Sequence, residues 1–215
     1  LRGNLGKAKA KPKFTELLSK SRAVNILSAA RLFLFGARDV WFVVALPVFL
    51  GAQLGWDYWQ VGGFLAAWVI GYGFVQSLAP YVTGKRKGMV PDGRTALHWA
   101  IPLIAVPALM AFLLGQAIAP AMVVIVGLAV FGVLFAVNSA LHSYLILSYA
   151  KEDGVSLDVG FYYMANAMGR LLGTVLSGWI YQTQGLAACL WVSAGFLLLT
   201  ALISRALPRH NKASA

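Results

Sequence analysis

Charge is what this sequence has least of. Lys, Arg, Asp and Glu make up 12% of the 215 residues, about half the share of a soluble domain. Acids are scarcer still: seven carboxylates against 18 basic side chains, for a formal net charge of +11. There is one cysteine, Cys189, so an intrachain disulfide framework is excluded. The three histidines, His98, His142 and His210, fall in separate segments, and their spacing makes no metal-ligand cluster. No G-x-S-x-G, H-E-x-x-H or P-loop pattern occurs, and no nucleophile lies at matched depth with a base. The sequence therefore reads as a non-enzyme without cofactor or metal.

What is abundant is apolar length. Hydrophobic residues reach 60% and the mean hydropathy is +0.73. Runs of about 20 apolar residues recur, each long enough to cross a hydrocarbon core of about 30 Å. Six spans are predicted, near 28–54, 58–83, 97–117, 121–149, 158–182 and 186–206. The joints are short and carry Gly or Pro, as turn chemistry asks: "GWD" (55–57), "GKRKGMVPDGRTA" (84–96), "GQAIAP" (115–120), "KEDGVSL" (151–157) and "QTQG" (182–185). The expected architecture is an all-α membrane protein. It has a basic linker at 1–27, a six-helix half-bundle at 28–207 and a short tail at 208–215.

The basic residues are not scattered. With the N-terminus inside, the tail through Arg31 holds eight of them, and loop 84–96 holds Lys85, Arg86, Lys87 and Arg94. Lys151, Arg205, Arg209 and Lys212 complete the inside set of 16 among 18, and the outside joints hold none. This is the positive-inside pattern, so the charge follows membrane sidedness and not nucleic acid. Both ends are expected in the cytoplasm. Phe14, Leu17, Leu18, Val24 and Leu27 have helical spacing, which suits an amphipathic segment on the membrane surface; a solvated basic linker is the alternative. The first 25 residues resemble no signal peptide, and the chain opens on Leu1. We expect a segment of a longer protein.

Arg38 and Arg170 are the two basic residues left inside the spans. A charge at the bilayer centre costs roughly 2.5–3.5 kcal/mol on insertion scales. Arg38 lies about 15 Å into its span and Arg170 about 18 Å beyond Asp158, at 1.5 Å per residue. Both enter from the inside, so they reach similar depth. Tyr72, Gln76, Asn138 and Asn166 lie at that level, with Asn138 sharing a helix face with His142, and Asn166 with Arg170. Asp39 neighbours Arg38, but adjacent side chains diverge by about 100° around a helix, so a partner on another helix suits it better. Two readings result. In one, Arg38, Asp39 and Arg170 form a closed ion-pair network that fixes helix packing. In the other, the two guanidinium forks bind an anion, with Tyr72, Gln76, Asn138 and Asn166 completing its hydrogen bonds. Asp39 then organises Arg38 or carries a coupling proton, and His142 is a second coupling candidate because histidine titrates near neutrality.

Other features read as packing. Ala165, Gly169, Gly173 and Ser177 recur every four residues and form a small-residue ridge for close helix approach. Gly62, Gly63, Ala66 and Ala67 are expected to do the same in the second span. Pro47, Pro80, Pro102 and Pro107 are expected to kink or end helices. Trp41, Trp56, Trp59 and Trp99 are placed at the headgroup level. "DYWQVGGF" (57–64) and "DVGF" (158–161) open the second and fifth spans alike, as an inverted three-plus-three repeat would.

A basic linker, six spans and a second basic inside loop resemble the C-terminal half of a major facilitator superfamily transporter. "GKRKGMVPDGR" (84–94) is a degenerate form of that superfamily's basic inter-helix loop. The stretches "LGKAKAKPKF" (5–14), "LSKSRAVNILSAARLFLFGARDVWFVVALPVFL" (18–50), "VGGFLAAWVIGYGFVQSLAP" (61–80) and "PDGRTA" (91–96) resemble the organoarsenical efflux permease family (ArsJ). That resemblance implies a permease of the inner (plasma) membrane exporting 1-arseno-3-phosphoglycerate. It also implies a functional link to the glyceraldehyde-3-phosphate dehydrogenase that makes this ester, and a preceding N-terminal six-helix half. It carries no binding-residue motif, so the residues proposed above stand on physical grounds. Alternatives are a permease for a sugar, drug or organophosphate, and a membrane scaffold that transports nothing.

Overall fold

The computed structural model describes residues 19, 21–83, 91–150 and 154–208. Most of the linker 1–27, Lys85–Lys87, Lys151 and the tail beyond Pro208 lie outside them, and with them most of the amphipathic stripe and of the basic inter-helix loop. Among the described residues all regular structure is helical: α1 (Arg22–Phe42), α2 (Ala45–Leu54), α3 (Tyr58–Val82), α4 (Gly93–Gly115), α5 (Pro120–Tyr149) and α6 (Val155–Ser204).

Local chemistry sets the helix ends. Ser21 caps α1, its hydroxyl accepting from the Val24 amide at 3.4 Å, so the helix starts six residues before the predicted span. Asp57 and Gln60 form a reciprocal capping box on α3, and Asp92 and Thr95 another on α4. Pro47 separates α1 from α2. It has no amide hydrogen for the Val43 carbonyl, and its ring crowds that carbonyl; the helix breaks at Val43 and Val44. The break strands the Ala45 amide, which finds the Ser177 hydroxyl on α6 at 3.0 Å. Freed backbone groups within a membrane need such a substitute. Pro102 and Pro107, by contrast, lie inside α4 without ending it, and Pro80 sits two residues before Val82, the last residue of α3.

The "QTQG" joint is shorter than expected. Helix runs through Gln184, and the interruption is Gly185 alone, at φ 79° and ψ −176°, a conformation open almost only to glycine. The chain folds back there: the Cys189 thiol lies 3.9 Å from the Ser177 carbonyl, whereas 12 residues of straight helix would span about 18 Å.

Five segments are long and apolar enough to cross a membrane: Arg22–Leu54, Tyr58–Val82, Gly93–Gly115, Pro120–Tyr149 and Val155–Ser204. Large apolar side chains such as Ile70, Phe74, Met122, Leu171 and Trp179 are exposed on them, as a lipid-facing surface requires. The chain is a multi-pass membrane protein.

Packing is heaviest between α1 and α6; α4 lies against α6 and α5, and α3 against α5 and the end of α2. The glycine ridge does what its spacing suggested. A methyl group at Gly169 would overlap the Leu32 carbonyl, and one at Gly173 would sit 2.8 Å from the Gly36 carbonyl oxygen and 3.0 Å from Asp39 Cβ. The ridge on α3 is different. Gly62, Gly63, Ala66 and Ala67 are exposed, and neither glycine has a neighbour within 4 Å of an added Cβ. That face of α3 meets no other described helix, because α3 packs through Trp68 and Tyr72 on its opposite side. Trp41 also departs from expectation. It is fully buried, edge-on to Phe131 at 5.2 Å, because the α1 face that carries it turns into the bundle.

Candidate functional site

α1 presents Arg31, Phe35, Arg38 and Asp39 towards α5 and α6. Close approach at Gly36, Gly169 and Gly173 is what lets one side chain reach both helices. Asp39 is fully buried and takes two partners. One carboxylate oxygen accepts from Arg38 Nε, the neighbour in sequence. The other accepts from Arg170 Nε on α6 at 3.1 Å. The cross-helix partner was expected; the adjacent one is reached despite the 100° divergence. The Arg38 side chain bends across two aromatic faces, its guanidinium carbon 4.9 Å from the Phe35 ring centre and 5.4 Å from Phe135. It retains 14% of its exposure, and Arg170 retains 55%.

The sequence grouped Arg31 with the basic residues of the tail; the structure packs its side chain into the bundle. Helix starts at Arg22, so Arg31 lies well inside α1, two turns before Arg38 and on the same face. It is 4% exposed. Its Nε donates to Asn166 Oδ1 at 3.0 Å, and its Nη1 to the Ser139 carbonyl at 3.0 Å. The guanidinium carbon stands 4.0 Å from the Phe35 ring centre and 5.1 Å from Tyr162. The signal that could have found it is the seven-residue interval to Arg38, combined with the Ser21 cap that puts the helix start upstream.

The remaining candidates divide. Asn166 joins the cluster through Arg31, one turn before Arg170. Tyr72 stacks on Trp68 at 5.5 Å and meets Phe135 at 6.0 Å, so it stands on the same aromatic wall as Arg38. Gln76 is half-buried one turn further along α3. Asn138 turns instead towards α4: its Nδ2 donates to the Trp99 and Leu134 carbonyls, each at 2.8 Å. His142, the second coupling candidate, lies two turns before the end of α5 and is buried, with 1% of its surface exposed.

The charge balance of this region follows. Among the described residues, the other carboxylates are at helix starts: Asp57 and Asp92 as caps, and Asp158 in the first turn of α6, accepting from the Ser19 hydroxyl. Asp39 is thus the one described acid in mid-helix, paired with Arg38 and Arg170, while Arg31 earlier on α1 bonds only neutral groups. Such an arrangement clamps α1 to α6 and leaves two formal positive charges over. Compared with known proteins, the chain matches no protein-family model and no curated protein.

Proposed function

We propose that the chain is the C-terminal half of a secondary transporter of the major facilitator type, carrying a small, multiply charged organic anion by alternating access. The observation that carries this reading is the imbalance of three arginines, two of them largely buried, against one carboxylate that pairs with Arg38 and Arg170. Isolated charge is expensive inside a bilayer, and an incoming oxyanion supplies the missing negative charge. Arginine forks suit phosphate-like and carboxylate groups. On this reading Arg38 and Arg170 contact the anion, Tyr72, Gln76 and Asn166 supply hydrogen bonds, and Asn138 serves the α4–α5 contact. Asp39 holds the two arginines in place while the site is empty.

Dividing α6 at Gly185 turns five crossing segments into six, as the half-bundle needs, with both ends cytoplasmic in an inner (plasma) membrane. The resemblance to organoarsenical efflux permeases suggests 1-arseno-3-phosphoglycerate as cargo, a glyceraldehyde-3-phosphate dehydrogenase as its supplier and an N-terminal six-helix half as structural partner. Asp39 bonding both arginines equally suits a scaffold whose charges only join helices. Uptake into inverted vesicles holding the full-length protein separates the two. The arseno-ester should accumulate, 3-phosphoglycerate and arsenite should compete differently, and Arg38→Leu with Arg170→Leu should abolish uptake. Undiminished uptake by the double variant would remove the anion-carrier reading.

A further inference from the structure

Arg38 and Arg170 already have a carboxylate; Arg31 does not. Among the described residues its acceptors are both neutral, an amide oxygen and a backbone carbonyl. They engage two of the five N–H donors of the guanidinium. A cation 4% exposed with neutral partners only is a costly element unless something compensates it. Its position is also specific. Phe35 lies 4.0 Å from the Arg31 guanidinium carbon and 4.9 Å from that of Arg38, so the two cations are less than 9 Å apart. Asn166, which orients Arg31, is one turn from Arg170 on α6.

We infer that Arg31 is the principal anion contact of this region, binding a phosphate-type oxyanion with the guanidinium donors left over beside Phe35 and Asn166, on the cytoplasmic side of the Asp39 pair. The inference rests on the reading of the region as an anion site, and it relocates the unmatched charge from the Asp39 cluster to Arg31. Asp39 already meets much of the field of Arg38 and Arg170, so an anion gains most where no carboxylate stands. Asn166 is a positioning residue: it holds the Arg31 fork and need not touch the anion. The same chemistry is offered by a soluble organic phosphate and by a lipid headgroup, and the test separates them.

The full-length protein is placed in zwitterionic nanodiscs, and its thermal unfolding is followed with and without 3-phosphoglycerate. A parallel series contains anionic lipid and no soluble anion. The wild type should be stabilised by 3-phosphoglycerate. Arg31→Gln should lose at least tenfold in affinity, while the ligand-free protein unfolds no earlier than wild type, because an uncompensated charge has been removed. A purely structural Arg31 would give the opposite: an earlier unfolding and an unchanged ligand response, which overturns the inference and leaves the carrier reading in place. Stabilisation by anionic lipid alone, lost in Arg31→Gln, keeps the anion site and removes the soluble cargo. No response of the wild type to either anion overturns both. Should Arg31→Gln fail to fold, Arg31→Lys retains the charge without the fork; affinity equal to wild type in that variant also overturns the inference.

Discussion

At the residue scale, one carboxylate decides how α1 and α6 meet. Asp39 has both oxygens engaged by arginine and no exposure. Breaking a buried ion pair from one side leaves a charge without a partner, a loss on the order of 3 kcal/mol. Asp39→Asn is therefore expected to destabilise the protein by about that amount, read as an earlier unfolding transition in detergent. Excess phosphate should restore part of the loss, because an anion can replace the missing charge. Arg31 shows why the site was only half legible in the sequence. A lone arginine at the foot of an apolar run is indistinguishable from a positive-inside anchor until the helix start is known. Arg38 and Arg170 were legible because each is surrounded by apolar sequence on both sides. Asp39 was visible as an anomaly, but its double role depends on two helices converging.

At the element scale, backbone proximity does the positioning. Gly36, Gly169 and Gly173 bring α1 and α6 into contact close enough that an added methyl group would meet carbonyl oxygen. Gly169→Leu is expected to cost about 1–3 kcal/mol through overpacking and to lower anion affinity by shifting Arg170, both measurable on the purified variant. Ser177 has a separate task, accepting the Ala45 amide released by Pro47. Ser177→Ala should cost about 1 kcal/mol, and Pro47→Ala made in the same background should return it, since the amide regains a helical acceptor. Capping boxes at Asp57 and Asp92 matched the predicted starts of the second and third spans to within a few residues. The two glycine ridges looked alike in sequence. Only one is packed, because periodicity identifies a small face without saying which helix covers it.

At the scale of the whole molecule, the number of crossings turns on whether the chain recrosses the bilayer after the break at Gly185. If α6 is two crossings, its middle and its ends lie on opposite sides of the membrane. With Cys189→Ala as background, Ala117→Cys and Gln184→Cys should react with a membrane-impermeant thiol reagent from outside. Lys87→Cys and Lys212→Cys should react only after permeabilisation. Labelling of positions 184 and 212 from the same side would show that α6 does not turn back across the bilayer. The exposed side of α3, with Gly62, Gly63, Ala66 and Ala67, bears no described contact, so Gly63→Leu should leave the unfolding temperature of the chain unchanged.

Apolar run length, Gly and Pro punctuation and the placement of Lys and Arg were enough by themselves to establish helical crossings and an expected sidedness. These are one-dimensional properties: a bilayer imposes a minimum length, and translocation sorts basic residues by order along the chain. Tertiary structure alone decided that Asp39 serves two arginines, that Arg31 lies inside the bundle with neutral partners, and that Asn138 and Trp41 belong to packing. Those outcomes depend on which faces of separate helices meet. That is settled by backbone approach at a few glycines and by the need of each buried polar group for a partner, neither of which any single segment contains.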